Sequence, residues 1–134
     1  MATLRRTKPQ QLTEAELRLM KVVWRNGQAT VAEVAAALPK KPGLAYNTVL
    51  TTMRILEAKG YLRHSKSKDG RAFVYRAAVG RAEATRSAVR RLLDRYFGDS
   101  PGALVMNLLE DETLGETERK KIRDLLRDEE GGRP

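Results

Sequence analysis

The sequence predicts a mainly α fold interrupted by one small β-hairpin, and three observations predict it. Two T-x-x-E signals, Thr13–Glu16 and Thr30–Glu33, open stretches with helical apolar spacing. Asp69-Gly70 separates two short runs rich in strand-forming residues. From about Val79 onward, apolar residues again recur at intervals of three and four.

In the first expected helix, Thr13 can accept from the Glu16 N–H while Glu16 reaches back, and Leu12 and Leu17 occupy the positions of a hydrophobic staple. Leu17, Met20, Val23 and Trp24 form the expected inward stripe, ended by Asn26-Gly27. The second helix repeats the capping device at Thr30, buries Val31, Val34, Ala35 and Leu38, and stops at Pro39. KKPG, residues 40–43, reads as a turn. On the third helix, Val49, Met53, Leu56 and Gly60 fall within about 60° of one another at 100° per residue. Asn47, Thr51, Arg54 and Ala58 lie opposite, flanked by Thr48 and Ile55. Gly60 suits the left-handed position that follows a helix.

Tyr61–Lys68 and Arg71–Arg76 are the expected strands, joined by a type I′ turn in which Asp69 and Gly70 both take positive φ. Three helices followed by a basic hairpin is the order of a winged helix-turn-helix domain. Beyond it, Val89, Leu92, Leu93, Tyr96 and Phe97 mark one helix ended by Gly98, and Ser100-Pro101 caps the next, with Leu104, Val105, Leu108 and Leu109. A last helix over about 116–130 carries Ile122, Leu125 and Leu126. Short helices with apolar stripes are unstable alone, so these three predict a helical dimerisation region completed by a second copy of the chain. The expected organisation is a disordered basic arm over 1–10, a winged-helix domain over 11–78, a dimerisation domain over 79–130 and a disordered tail over 131–134.

Charge points to a partner. Residues 1–98 hold 20 Lys/Arg against 7 Asp/Glu, whereas 99–134 hold 6 against 10. A basic body with a mildly acidic end fits a polyanion. Cysteine is absent from the sequence, which excludes disulfides and thiolate chemistry and fits a reducing cytoplasm. No apolar run approaches bilayer length, so membrane insertion is not expected. The single histidine, His64, has no metal-ligand spacing around it and reads as ordinary packing or solvent exposure. Glu110, Asp111 and Glu112 are consecutive, diverge around a helix and read as solvated surface. The sequence therefore predicts no catalytic residue, no metal and no cofactor.

The unusual feature is the polar side of the third helix. Ordinary solvated faces carry Glu and Lys; this one carries short donors and acceptors. A helix enters the major groove, where Asn pairs with adenine, Arg with guanine, and Thr meets an acceptor or a thymine methyl. Tyr46, Asn47, Thr48, Thr51 and Arg54 are the candidate base and phosphate contacts on the helix; Arg63, Lys66, Lys68 and Arg71 are those of the wing. The competing reading is a threonine-rich solvent face or a protein–protein surface, which would make the chain a winged-helix interaction module without a nucleic-acid role.

LTEAELRLMKVVW (12–24), AYNTVLTTMRILEAKGYL (45–62), the Asp-Gly wing and ALVMNLLEDETLGETERKKIRDLL (103–126) together resemble the penicillinase-repressor (BlaI/MecI) family of winged-helix transcriptional regulators. The resemblance covers roughly residues 10–128 and so includes the C-terminal part, which generic winged helices lack. It implies a homodimer on a palindromic double-stranded DNA operator, with interlocked C-terminal helices. It also implies derepression by proteolysis through a membrane-bound sensor metalloprotease. The family's S-L-V-L-N-F-type scissile segment corresponds here to residues 103–108, making Asn107-Leu108 the candidate cleavage site, with Leu108 where the best-known members have phenylalanine. Leu104, Val105 and Leu108 are equally accounted for as dimer core. Copper-responsive relatives use C-terminal cysteines, which this sequence lacks.

Overall fold

A computed structural model describes residues 9–38 and 45–131. The expected arm, apart from Pro9 and Gln10, the KKPG turn and all of the tail except Gly131 lie outside the described residues. The elements run α1 (Glu14–Asn26), β1 (Gln28–Ala29), α2 (Val31–Ala37), α3 (Tyr46–Ala58), β2 (Leu62–Lys66), β3 (Phe73–Ala77), α4 (Arg81–Tyr96), α5 (Pro101–Glu110) and α6 (Glu116–Gly131). Two compact units divide the chain, Met1–Ala88 and Val89–Pro134, the division falling inside α4.

Both capping boxes form as the sequence predicts. Thr13 accepts from the Glu16 N–H at 3.1 Å while Glu16 accepts from the Thr13 N–H at 2.9 Å. The Thr30–Glu33 pair repeats this at 3.1 and 2.8 Å. The core of the first unit is built from Leu19, Met20, Val22, Val23, Val31, Val34, Leu38, Val49, Met53, Leu56, Tyr61, Leu62 and Tyr75, with Ala29. The inward stripe of α1 differs from the expected one: Leu19 and Val22 are buried, whereas Leu17 and Trp24 are only half-buried. Both α2 and the sheet cover α1, so its buried sector is wider than a single stripe. Trp24 keeps its indole N–H at the edge of that sector, where it donates to the Val79 carbonyl at 2.9 Å.

β1 was not legible in the sequence. Its two residues pair antiparallel with β3, Gln28 with Arg76 and Ala29 with Tyr75, giving the sheet order β1-β3-β2. The hairpin register runs from Leu62–Ala77 to Lys66–Phe73, with His64 opposite Tyr75. The expected type I′ turn does not form. The strands end at Lys66 and Phe73, so Lys68 and Arg71 lie in a loop rather than on strands. The Ser67 N–H donates to Ala72 O at 2.7 Å and the Gly70 N–H to Ser67 O at 2.9 Å. Gly70 has φ +72°, but among the described non-glycine residues only Asp99 has positive φ. Asp69 instead accepts from the Ser67 hydroxyl and from the Arg71 N–H. Those bonds, Ser67's first, hold its carboxyl below the usual carboxylate value. A side chain that can bond its own backbone neighbours thus selects a longer loop.

Glu16 serves two ends of the fold. Besides capping α1, it takes the Lys59 ammonium at 2.7 Å, and Lys59 caps α3. The neighbouring segment is held alongside: Lys59 Nζ donates to Gln11 O, the Tyr61 hydroxyl to Gln10 O and the Ser87 hydroxyl to Pro9 O. Burial pushes the Glu16 carboxyl up, but the hydrogen bonds from Lys59 and the Thr13 N–H outweigh it, and the net is below 4.5. A carboxyl lowered in the folded state stabilises it above its unfolded value, and that stability is lost as pH falls through the folded value. Glu16→Ala is therefore expected to cost about 1–3 kcal/mol at neutral pH. The difference in melting temperature from wild type should shrink below pH 4.5. A gap that stays constant to pH 3 (roughly one unit below the ordinary glutamate value) would show that Glu16 acts without its charge.

In the second unit α4 ends through Gly98, φ +55°, with the Asp99 N–H donating back to Leu93 O at 3.0 Å. The Ser100 hydroxyl then caps α5 by accepting from the Ala103 N–H at 3.1 Å, with Pro101 opening the helix. Glu110 ends α5 and Asp111 and Glu112 lie past it, not around a helix as expected. Asp111 accepts from the Thr113 hydroxyl and N–H, which lower its carboxyl, and so shapes the turn into α6.

Candidate nucleic-acid interface

The third helix presents the two sides that its sequence predicts. Val49, Met53 and Leu56 are fully buried; Tyr46, Asn47, Thr48, Thr51, Arg54, Ile55 and Ala58 are exposed. Thr52 is half-buried and donates its hydroxyl to Thr48 O at 2.8 Å, so it is spent within the helix. The side chains of Asn47, Thr48, Thr51 and Arg54 make no hydrogen bond or ion pair with another described residue. Their bonding capacity is turned outward.

The start of α3 differs from those of α1 and α2. Ala45 stands at its N-cap, no side chain among the described residues caps it, and its first turn has no acid. The first-turn N–H groups therefore have no side-chain acceptor among the described residues, and such a helix start suits a phosphate. Tyr46 opens the helix and is exposed.

Gly60, φ +87°, turns the chain from α3 into the wing. Arg63, Lys66, Lys68 and Arg71 are all exposed. Arg63 stands directly across from Arg76, a like-charge pair that costs stability in an isolated sheet and that a polyanion relieves. Arg76 leans to the Ser65 hydroxyl at 2.9 Å. The one acid of the wing, Asp69, is engaged by the loop itself.

The surroundings of His64 were missed in the sequence. The imidazole is exposed, but its Nδ1 lies 2.8 and 2.7 Å from the two Glu57 carboxylate oxygens, and its ring is against Phe73 and Tyr75. A carboxylate seven positions away on the preceding helix gives no signal in linear spacing. No group of acidic or histidine residues able to hold a metal occurs among the described residues.

The residues expected to mediate dimerisation fall in the second unit, where no described residue is buried. Leu93, Phe97, Leu104, Val105, Leu109 and Ile122 are half-buried, while Val89, Leu92, Tyr96, Leu108, Leu125 and Leu126 are exposed, Tyr96 by 70% and Leu125 by 68%. Asn107 is exposed on α5.

Three helices, a three-stranded sheet with a basic wing, and an outward polar face on the third helix define a winged helix-turn-helix protein. Its family is equally clear: the penicillinase repressor profile matches residues 12–128, and the chain belongs to that family, one of transcriptional repressors rather than enzymes. It is 29% identical over 116 residues to the penicillinase repressor of Bacillus licheniformis, spanning 87% of this chain and 89% of that protein. The solution structure of the DNA-binding domain of the repressor BlaI is 33% identical, covering 59% of this chain and 93% of that one, with a TM-score of 0.48. The crystal structure of the YusO protein from Bacillus subtilis shares the fold at 14% identity, covering 91% of this chain and 77% of that one, with a TM-score of 0.51. Among the described residues no helix is long and apolar enough to cross a membrane.

Proposed function

We propose that this chain is a sequence-specific DNA-binding transcriptional repressor. It acts as a homodimer on a palindromic operator, with α3 in the major groove and the wing along the phosphate backbone. The observation that carries the reading is the outward face of α3: among the described residues, the side chains of Asn47, Thr48, Thr51 and Arg54 find no hydrogen-bond or ion-pair partner, and no side chain caps the helix start. Side chains this short let the helix approach the base edges closely. Membership of a repressor family supports the same reading. The test is a footprint on the DNA upstream of the protein's own gene at low and moderate salt. Protection of two half-sites about one helical turn or a multiple apart is expected. Absence of binding even at low salt overturns the reading and leaves a protein-interaction module.

Derepression by a membrane-bound sensor metalloprotease that cuts Asn107-Leu108 completes the proposal. The bond lies in the last turns of α5, and cutting it severs α6 with Ile122, Leu125 and Leu126 from the winged-helix unit. Dimer contacts are lost while every base contact survives, so tight operator binding fails by loss of avidity. A helical bond must open locally to enter a protease, so cleavage requires α5 to unwind transiently from the dimer contacts. Chain length followed in cells given a β-lactam should show shortening before the target genes switch on. An intact chain with its genes switched on rules cleavage out.

A further inference from the structure

The wing has little to hold it. β1 pairs with β3 only at Tyr75 and Arg76, near the base of the hairpin, so residues 65–74 form a two-stranded ribbon. Such a ribbon is marginal in water unless something packs on it. Yet Lys66, Lys68 and Arg71, the proposed phosphate contacts, all lie in that distal part.

At its foot, Glu57 of α3 meets His64 of β2. Glu57 lies in the final turn of α3, three positions after Arg54, with its side chain about one-third exposed. An ionised carboxylate only accepts, so His64 Nδ1 carries the hydrogen and donates across 2.7 Å. The imidazole is thereby held against Phe73, centroids 4.7 Å apart, and against Tyr75, 5.4 Å apart. Phe73 is itself the cross-strand partner of Lys66. One line of contact thus runs from the turn that carries Arg54 to the basic end of the wing. Burial raises the Tyr75 hydroxyl, and Glu57 adds to the rise while Arg54 opposes it, which places these groups in one electrostatic neighbourhood.

Glu57 also needs an explanation of its own. A carboxylate on a surface that meets DNA repels phosphate and lowers affinity unless it does something else there. An exposed pair of this kind adds little to stability.

We propose that Glu57 and His64 are positioning residues that brace the wing against α3, so that Lys66, Lys68 and Arg71 reach phosphates while Arg54 reads a base. The brace rests on the DNA-binding reading and is tested apart from it. Full-length wild type, Glu57→Ala, His64→Ala, the double variant and Glu57→Gln are titrated against two duplexes over a range of salt. One duplex is selected by the wild-type chain from a random pool; the other is unrelated and of equal length. Each phosphate contact contributes about 0.9 to the slope of log affinity against log salt. Glu57→Ala and His64→Ala should each lower that slope by about two on both duplexes, and the double variant no further. Adding Lys66→Ala, Lys68→Ala and Arg71→Ala to Glu57→Ala should change it little. Glu57→Gln removes the same charge but keeps an acceptor, so it should retain most of the wild-type slope; this separates bracing from charge. Melting temperatures should stay close to wild type throughout. Slopes unchanged in Glu57→Ala and His64→Ala, or fully additive with the wing substitutions, overturn the brace alone. A wild-type chain with no salt-dependent binding to either duplex overturns the DNA-binding reading and the brace with it.

Discussion

Leu92→Asp combined with Leu126→Asp is expected to turn the proposed dimer into a monomer and to weaken binding to the proposed operator by about two to four orders of magnitude. The first unit has its own core, whose buried apolar residues all lie between Leu19 and Tyr75. The second unit has no buried apolar residue among those described: Leu92 is 38% and Leu126 49% exposed, and Tyr96 and Leu125 are exposed too. Apolar surface exposed on helices this short is usually covered in a stable protein, and the proposed homodimer would cover it with the same surface of a second copy. Because both side chains face outward in the single chain, a charge there should disturb association more than folding. Helical circular dichroism should persist, and a half-site should be bound as weakly by wild type as by the variant. The difference appears only on the complete operator, where one binding event makes the second intramolecular. Sedimentation at micromolar concentration is the direct check. A wild-type chain that sediments as a monomer refutes dimerisation.

Arg54→Ala and Thr51→Ala carry the second large effect, and their signature is a change in discrimination rather than in affinity alone. Losing a bidentate base contact costs about 1–3 kcal/mol against the correct base and relaxes preference at one base pair. Lys66→Ala or Lys68→Ala should instead weaken all sequences alike and reduce the salt slope by about one each. Arg54 and Thr51 lie one turn apart on the exposed side of α3, away from Val49, Met53 and Leu56, so neither truncation opens the core. Competition between operator duplexes altered one base pair at a time reads the difference. If both variants retain wild-type discrimination, another surface reads the sequence.

Much was legible in the sequence because it was local. Thr13 and Glu16, or Thr30 and Glu33, are three residues apart, and the capping box they make is decided within one helical turn. The division of α3 into a buried and an exposed side follows from 100° per residue, and Gly60 from the need for positive φ at the corner. The charge asymmetry and the polar character of that exposed side are likewise properties of composition and spacing.

What only the tertiary structure decided involves partners far apart in the chain. β1 is two residues with no strand pattern of its own, and it exists because β3 offers it an edge. The sector of α1 that is buried, including Leu19 and Val22, is set by how many neighbours cover it. The wing loop follows the Asp69 side chain's bonds to Ser67 and Arg71 rather than its preference for positive φ. The pairing of Lys59 with Glu16 and of His64 with Glu57 depends on where two elements cross. Hydrogen bonds within one turn are fixed by chain geometry alone, whereas contacts between elements form only after burial of the core has chosen which surfaces meet.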